Sequence, residues 1–534
     1  MFLPTGNAAS PLLLPYIIPF SIILLISLPI ITLLRIRYRR GLREIPGPFF
    51  ASILPFDRML STYSGHQFQR HLEYHARYGK LVRVGPNHVS LGDSEQISNV
   101  YNITSKFDKS NFYTLFHAKS PVGPIPTVFS IVDPVGHRNL KRPVGAAFAL
   151  SSLLDFEPLA DDCTRILEGK LDALQGNAVD FGTWLHWYAF DVISSITFSN
   201  RLGFMEREED VNGIIAAIEG RLFYNSIIGQ VPSMHKWLLG NNIVSRLADM
   251  VPAIRRLNSA AYIVQFAARQ MEMRQNAKVE HGRSDMLDKF KMTRDGEEVV
   301  SAKELLGHAS SNVFAGSDTT AISLRALFYH LCKNPHAYKK CVDEILDFDA
   351  RGELSDYVTY YEAQRMPYFQ ACMREALRMH PAVGQLLERV VPEGGATIDG
   401  IYLPAGTIVG MNPWVAARDR AVYGHDAEVF RPERWIEADE KTLKLMDRNW
   451  LAVGSSSWNL IPSGANVVFQ FGAGSRTCLG KNISLMEMSK LAPQLLRRYH
   501  VQLADPKAEW ELFDYWFVKQ EGLRCILTRR DGEK

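Results

Sequence analysis

The first 34 residues carry no charge, and Pro11 to Leu34 is a run of 24 mostly apolar residues. As helix that run is about 36 Å long, against a hydrocarbon core of about 30 Å. It can cross a bilayer as a single helix, kinked at Pro15, Pro19 and Pro29. A cleaved signal peptide is the competing reading, but the run is too long and lacks a basic leading segment and a small-residue cleavage site. Beyond it the pattern changes. Short β-rich runs come early, at Leu81-Val82-Arg83-Val84 and His88-Val89-Ser90-Leu91, followed by a long helix-rich middle and a mixed, proline-rich last third. The pattern predicts a mainly α chain of the α+β kind, with no internal repeat.

Two helices are marked by their ends. One is predicted from about Ser301 to Cys332, with Ser301 and Glu304 as a capping box and Asn334-Pro335 as its stop. The other starts at Pro367 and ends at His380-Pro381. Inside the first lies Ala315-Gly316-Ser317-Asp318-Thr319-Thr320, a stretch that helix propensity disfavours. It reads either as a surface helix with a tolerated kink or as a helix opened to seat a small ligand. In the second reading Asp318 and Thr319 are an acid–alcohol pair able to relay protons. In the second helix Glu375 and Arg378 are three apart on one face. Alone, such a pair is usually a solvated surface contact. Arg434, in Phe430-Arg431-Pro432-Glu433-Arg434-Trp435, offers a third member for a buried network.

Charge and cysteine content narrow the class. The formal charge is +3, yet Arg35, Arg37, Arg39, Arg40 and Arg43 less Glu44 already supply +4, leaving −1 for the rest. No nucleic-acid partner is implied. Arginines after the apolar run keep that flank cytosolic by the positive-inside rule. Ile45-Pro46-Gly47-Pro48 then forms a rigid elbow. Three parts follow: residues 1–34 as lumenal end and anchor, 35–48 as basic stop and elbow, and 49–534 as one large domain. The cysteines at 163, 332, 341, 372, 478 and 525 have no paired short spacing, which fits a reducing compartment rather than a disulfide framework.

The most distinctive segment is Phe471-Gly472-Ala473-Gly474-Ser475-Arg476-Thr477-Cys478-Leu479-Gly480. Glycines let backbone N–H groups point at a sulfur and let the chain approach a flat macrocycle closely. A helix starting near Leu479 turns its positive end toward the thiolate. Arg476 can reach a propionate. The loop makes Cys478 a candidate axial ligand of haem iron, where a thiolate pushes electron density onto the metal.

In this order the segments resemble the cytochrome P450 superfamily of haem-thiolate monooxygenases. The cysteine loop, with Phe471, Gly474, Arg476, Cys478 and Gly480, matches the family's haem loop. Ala315 to Thr320 matches its oxygen-activating helix, and Glu375, Arg378 and Arg434 match its structural triad. Finer similarity in Arg83-Val84-Gly85-Pro86-Asn87, Glu388-Arg389-Val390-Val391-Pro392 and Asn412-Pro413-Trp414 is to fungal microsomal members near the pisatin demethylase group. The resemblance implies the P450 fold with small β-sheets and haem b held by Cys478. It implies propionate contacts from His137, Lys141 and Arg389, with Arg142 sharing the task because Lys141 stands where the family usually has arginine. It further implies electrons from NADPH through NADPH-cytochrome P450 reductase, docked on a basic face including Lys141, Arg142 and Lys481. The anchor would be in the endoplasmic reticulum membrane. One oxygen atom would enter a hydrophobic small molecule, by hydroxylation, O-demethylation or similar chemistry in fungal secondary metabolism. Substrate contacts are expected at Phe112 to Phe129, Val313-Phe314, Val383 to Leu387 and Trp516-Phe517-Val518.

One stretch departs from that resemblance. Removing residues 453–470 joins Asn449-Trp450-Leu451-Ala452 directly to Phe471-Gly472, which reads like an ordinary member. The stretch is either a natural surface insertion or a retained in-frame intron. Three functional classes are open: a monooxygenase, an oxygen-independent haem-thiolate isomerase or dehydratase, and a haem-deficient inactive product if the stretch disrupts the loop.

Overall fold

Helix ends form where their punctuation places them. Ser301 N donates to Glu304 Oε2 at 2.9 Å and Glu304 N to Ser301 Oγ at 3.3 Å, so the capping box closes and a 32-residue helix, Ala302–Lys333, runs from it. It is described here from a computed structural model covering residues 14–120, 123–276, 285–290, 293–294, 297–298, 300–450 and 471–530. This long helix is buried over most of its length, as an element at the centre of a fold must be. Around it pack Phe181–Phe198, Ala260–Asn276, Pro367–Met379 and the cysteine helix Lys481–Arg498.

The predicted early strands form a hairpin, Leu81–Gly85 against His88–Leu91. They belong to a five-stranded sheet that continues through Ile408–Met411, Arg389–Val390 and Asp108–Lys109. At its far edge Lys109 lies directly opposite Arg389. Like charges facing each other across strands destabilise a sheet unless an anion sits between them. A second sheet joins Tyr499–Leu503, Arg524–Arg529 and Ala178–Asp180, and a separate hairpin pairs Glu511–Tyr515 with Phe517–Glu521. The turn of that hairpin is Trp516, at φ +77°, a left-handed conformation that costs a non-glycine residue about 1–3 kcal/mol.

The basic stop and elbow are docked rather than loose. Arg83 is fully buried and donates to the carbonyls of Ile36 and Arg37 at 2.7 and 2.6 Å. A Cβ on Gly47 would stand 2.3 Å from Arg83 O, so only glycine passes there. Before the elbow runs a 24-residue helix, Leu14–Arg37, with Leu25, Leu28 and Leu34 exposed. Among the described residues no helix is long and apolar enough to cross a membrane. The start of the expected anchor, and the whole of 453–470, lie outside the described residues.

Candidate active site

Cys478 N donates to Phe471 O at 2.7 Å, which closes the cysteine loop on itself. Gly474 has φ +63°, and a Cβ there would meet Tyr101 O at 2.1 Å, so the loop accepts no side chain at that turn. Arg476 is held by its Nη1 and Nη2, which donate to Ile131 O and Val132 O at 2.7 and 2.8 Å. At Gly480 a Cβ would lie 3.9 Å from Cys478 Sγ, within contact of the sulfur. The surrounding protein raises the Cys478 thiol, while N–H groups of Gly480 and Lys481 and the charges of Lys481 and Lys141 pull the other way and favour the thiolate.

Cys478 lines a cavity of about 310 Å³ that the long helix also lines, at Ala315, Gly316 and Thr319. Gly316 is required for packing, since a Cβ would stand 2.7 Å from Ile193 Cγ1. Thr319 Oγ1 donates back to Ala315 O at 3.0 Å, and Ser317 Oγ to Val313 O at 3.2 Å. These are the side-chain back-bonds that the unfavourable hexapeptide suggested. Thr319 lines the cavity; Asp318 is not among the lining residues. Its buried carboxylate instead accepts from His186 Nε2 at 2.6 Å and lies 3.5 Å from Lys519 Nζ. Burial pushes the Asp318 carboxyl up, but Lys519 and His186 outweigh it and hold it below the usual range. His186 is lowered to about 4 by burial, so it is a neutral donor to Asp318.

Cations gather on one side of the cavity. Lys109, Arg389 and Arg476 all line it, as does His137. Lys109 is buried, donates to Phe129 O, and lies 4.1 Å from the Tyr113 ring centroid. Its ammonium is lowered well below the ordinary value by burial, then by Arg389 and Arg476. His137 is lowered to about 3 by burial and by Arg476, Lys141, Lys109 and Arg389. Among the described residues none of these three cations forms an ion pair with a carboxylate, although Asp108 and Asp133 act on Arg476, and the crowding matches a group that brings two carboxylates of its own. With one sulfur below, the donor set fits haem. Lys141 is placed differently from the other expected propionate contacts: its Nζ donates to Ser475 O at 2.9 Å, inside the cysteine loop. Lys481 is buried beside the sulfur rather than on a docking face, whereas Arg138 and Arg142 are exposed.

On the helix Pro367–Met379 stands a buried charge network. Glu375 is fully buried and accepts from Arg378 Nε and Nη2 at 2.9 and 2.8 Å and from Arg434 Nε at 2.8 Å. Trp435 Nε1 and Arg431 N complete it, both at 2.9 Å. Burial alone would raise the Glu375 carboxyl, but Arg378 and Arg434 hold it below the ordinary range.

Aromatic side chains form a further part of the wall. Tyr113, Phe116, Phe129, Phe314 and Trp516 line it. Trp516 lies 5.5 Å from Phe116 and 5.8 Å from Phe129, which gives the strained turn its purpose as a wall. Val383, Leu387 and Phe517 also line it, while Val313 and Val518 are buried behind. Sequence reasoning missed Lys109, His186 and Lys519. Only the cross-strand register exposes Lys109, and only tertiary packing brings the other two to Asp318.

A family model described as Cytochrome P450 matches residues 43–523. The chain is 36% identical over 516 residues to a protein named cytochrome P450 monooxygenase cicH from Emericella nidulans, covering 95% of this chain and 98% of that one. It is 34% identical over 497 residues to a pisatin demethylase from Fusarium vanettenii, covering 92% and 89%. It is 34% identical over 504 residues to cytochrome P450 monooxygenase gsfF from Penicillium aethiopicum, covering 92% and 94%. Matched along nearly the whole of its length after the elbow, this chain belongs to the cytochrome P450 family and is an oxidoreductase.

Proposed function

We propose that the protein is a haem-thiolate monooxygenase that inserts one oxygen atom of O2 into a C–H bond of a lipophilic small molecule, by hydroxylation, O-demethylation or similar chemistry in fungal secondary metabolism. The observation that carries this reading is that Cys478 and Thr319 line one cavity together with a wall of aromatic side chains. Haem bound there supplies the electron-accepting, oxygen-activating centre. Cys478 would hold the iron through its thiolate, whose charged form the N–H groups of Gly480 and Lys481 favour. Lys109, Arg389 and Arg476 would neutralise the propionates. Thr319 holds a proton at Oγ1 on the cavity side. Asp318, with His186 and Lys519, holds exchangeable protons on the other face of the helix. The aromatic wall excludes water and positions the substrate.

Electrons come from NADPH-cytochrome P450 reductase, docked beside the exposed Arg138 and Arg142. The apolar run Pro11 to Leu34, whose start lies outside the described residues, together with the arginines that follow it, anchors the chain in the endoplasmic reticulum membrane with residues 49–534 in the cytosol.

The test is spectroscopic and then kinetic. The reduced protein under carbon monoxide should give the red-shifted Soret band of thiolate ligation, and absence of that band defeats the haem reading. With reductase, NADPH use should require O2 and yield an oxygenated product. Conversion of substrate without O2 would instead identify an isomerase or dehydratase.

A further inference from the structure

One cation in the cavity has no place in the cofactor arrangement. Arg221, in the helix Ile214–Ile228, lines the cavity, is 7% exposed and donates from Nη2 to Leu115 O at 2.9 Å. Among the described residues no carboxylate pairs with it, and no Asp or Glu lines the cavity at all. Its neighbours are basic or neutral. Lys119 donates to Ser245 Oγ at 3.0 Å, and His235, lowered to about 4 by burial and by Arg221, is bonded to Tyr224 OH at 2.8 Å. Arg221 lies apart from the cluster of Lys109, Arg389 and Arg476: Arg389 lowers both Lys109 and Arg476, whereas Arg221 is lowered by burial and acted on by Tyr224.

One turn further along the same helix face stands Asn225. It is 0% exposed and lines the same cavity, and neither its Oδ1 nor its Nδ2 has a partner among the described residues. A buried guanidinium without a counter-ion and a buried amide without partners are each costly, and here they adjoin on one wall of a binding chamber. Spacing of four residues puts both side chains on one helix face, so a single ligand group can meet both. The guanidinium prefers a planar oxygen anion, and the amide Nδ2 adds a donor beside it.

We propose that Arg221 and Asn225 form a subsite for a carboxylate carried by an otherwise apolar, aromatic-bearing substrate. The subsite sets which end of the substrate faces the Thr319 side of the chamber, because the anion is held on the Ile214–Ile228 wall. It rests on the reading of this cavity as the substrate chamber, and it narrows the lipophilic substrate to one with an anionic oxygen group.

The test uses the full haem-loaded chain and a series of ω-phenylalkanoates from phenylhexanoate to phenyldodecanoate, each with its methyl ester. Dissociation constants are measured by calorimetry and by Soret titration. At least one acid should bind about ten-fold or more tightly than its ester, the scale of a buried charged hydrogen bond. Arg221→Met should bring that ratio close to one, Arg221→Lys should keep part of it, and Asn225→Leu should reduce it by a few-fold. A series in which no acid exceeds its ester overturns the subsite, as does a preference that survives Arg221→Met unchanged. Should Arg221→Met fail to load haem, an undiminished preference in both Arg221→Lys and Asn225→Leu overturns it equally. A normal carbon-monoxide Soret band with no acid preference defeats the subsite and leaves the haem reading standing. Acid preference by calorimetry without that band does the reverse.

Discussion

Replacing Glu375 by glutamine tests whether the buried network holds the cysteine loop in place. The carboxylate accepts hydrogen bonds from Arg378 Nε, Arg378 Nη2, Arg434 Nε, Trp435 Nε1 and Arg431 N. Glutamine keeps one oxygen and turns an N–H2 toward the donors that faced the other. It also leaves Arg378, 0% exposed, without its counter-charge, and Arg434, 3% exposed, with Asp426 as its remaining carboxylate partner. Breaking a buried pair in this way costs about 3–5 kcal/mol. That is a large share of a total stability of roughly 5–15 kcal/mol. At about 2–4 °C per kcal/mol for a large domain, the thermal midpoint should fall by roughly 6–20 °C. Thermal loss of the carbon-monoxide Soret band, followed at one fixed heating rate, measures it. Glu440→Gln is the control, because among the described residues Glu440 pairs with exposed Lys444 alone, and its loss should leave the midpoint unchanged. A Glu375→Gln protein with wild-type haem content and an unchanged midpoint would refute the reasoning.

Glu487 is the contrasting case, fully buried in the cysteine helix with neither carboxyl oxygen partnered among the described residues. Burial raises its carboxyl well above the ordinary value, so the folded state favours the neutral acid. Stability tied to it is present below the unfolded carboxyl range, near pH 4.5, and is lost as pH rises from there toward the raised folded value. Glu487→Gln should therefore gain stability over the parent protein at pH 8 and lose that advantage near pH 5, as read by denaturant midpoints at the two pH values. Lys109→Met should lower haem content per chain and speed haem transfer to apomyoglobin, because it removes a cation opposite Arg389. Unchanged transfer would remove Lys109 from the propionate site. Thr319→Ala should divert electrons to hydrogen peroxide, and an equal product yield per NADPH would contradict its role in proton delivery.

The two central helices were legible because their ends are chemically marked. Ser301 with Glu304 closes the capping box expected of it, and Pro367 opens the second helix at its first position. The haem side was legible only in part. Cys478, Arg476 and the loop glycines stand in one continuous segment, whereas Lys109 enters through a two-residue strand whose partner, Arg389, lies far away in the chain. A strand so short has no period to read. Arg221 and Asn225 were invisible for another reason: on a helix buried nearly all round, polar residues at helical spacing acquire meaning only once the cavity beside them is known.

The acid–alcohol pair divides between two surroundings. Adjacent residues on a helix point about 100° apart, so Asp318 need not share the cavity that Thr319 lines. In the structure Thr319 takes the cavity, and Asp318 takes the seam against His186 and Lys519. A proton that Asp318 contributes must therefore come around the helix rather than straight across. The side groups bordering that route are His186, neutral and donating, and Lys519, which also pairs with Glu219 at the surface. Glu219 is 48% exposed, so the chain Glu219–Lys519–Asp318 links solvent to the back of the helix that lines the cavity. If that chain supplies protons, Lys519→Met should slow product formation and enlarge the solvent isotope effect while Thr319 stays in place. An isotope effect equal to that of the parent protein would confine Lys519 to holding Asp318 charged.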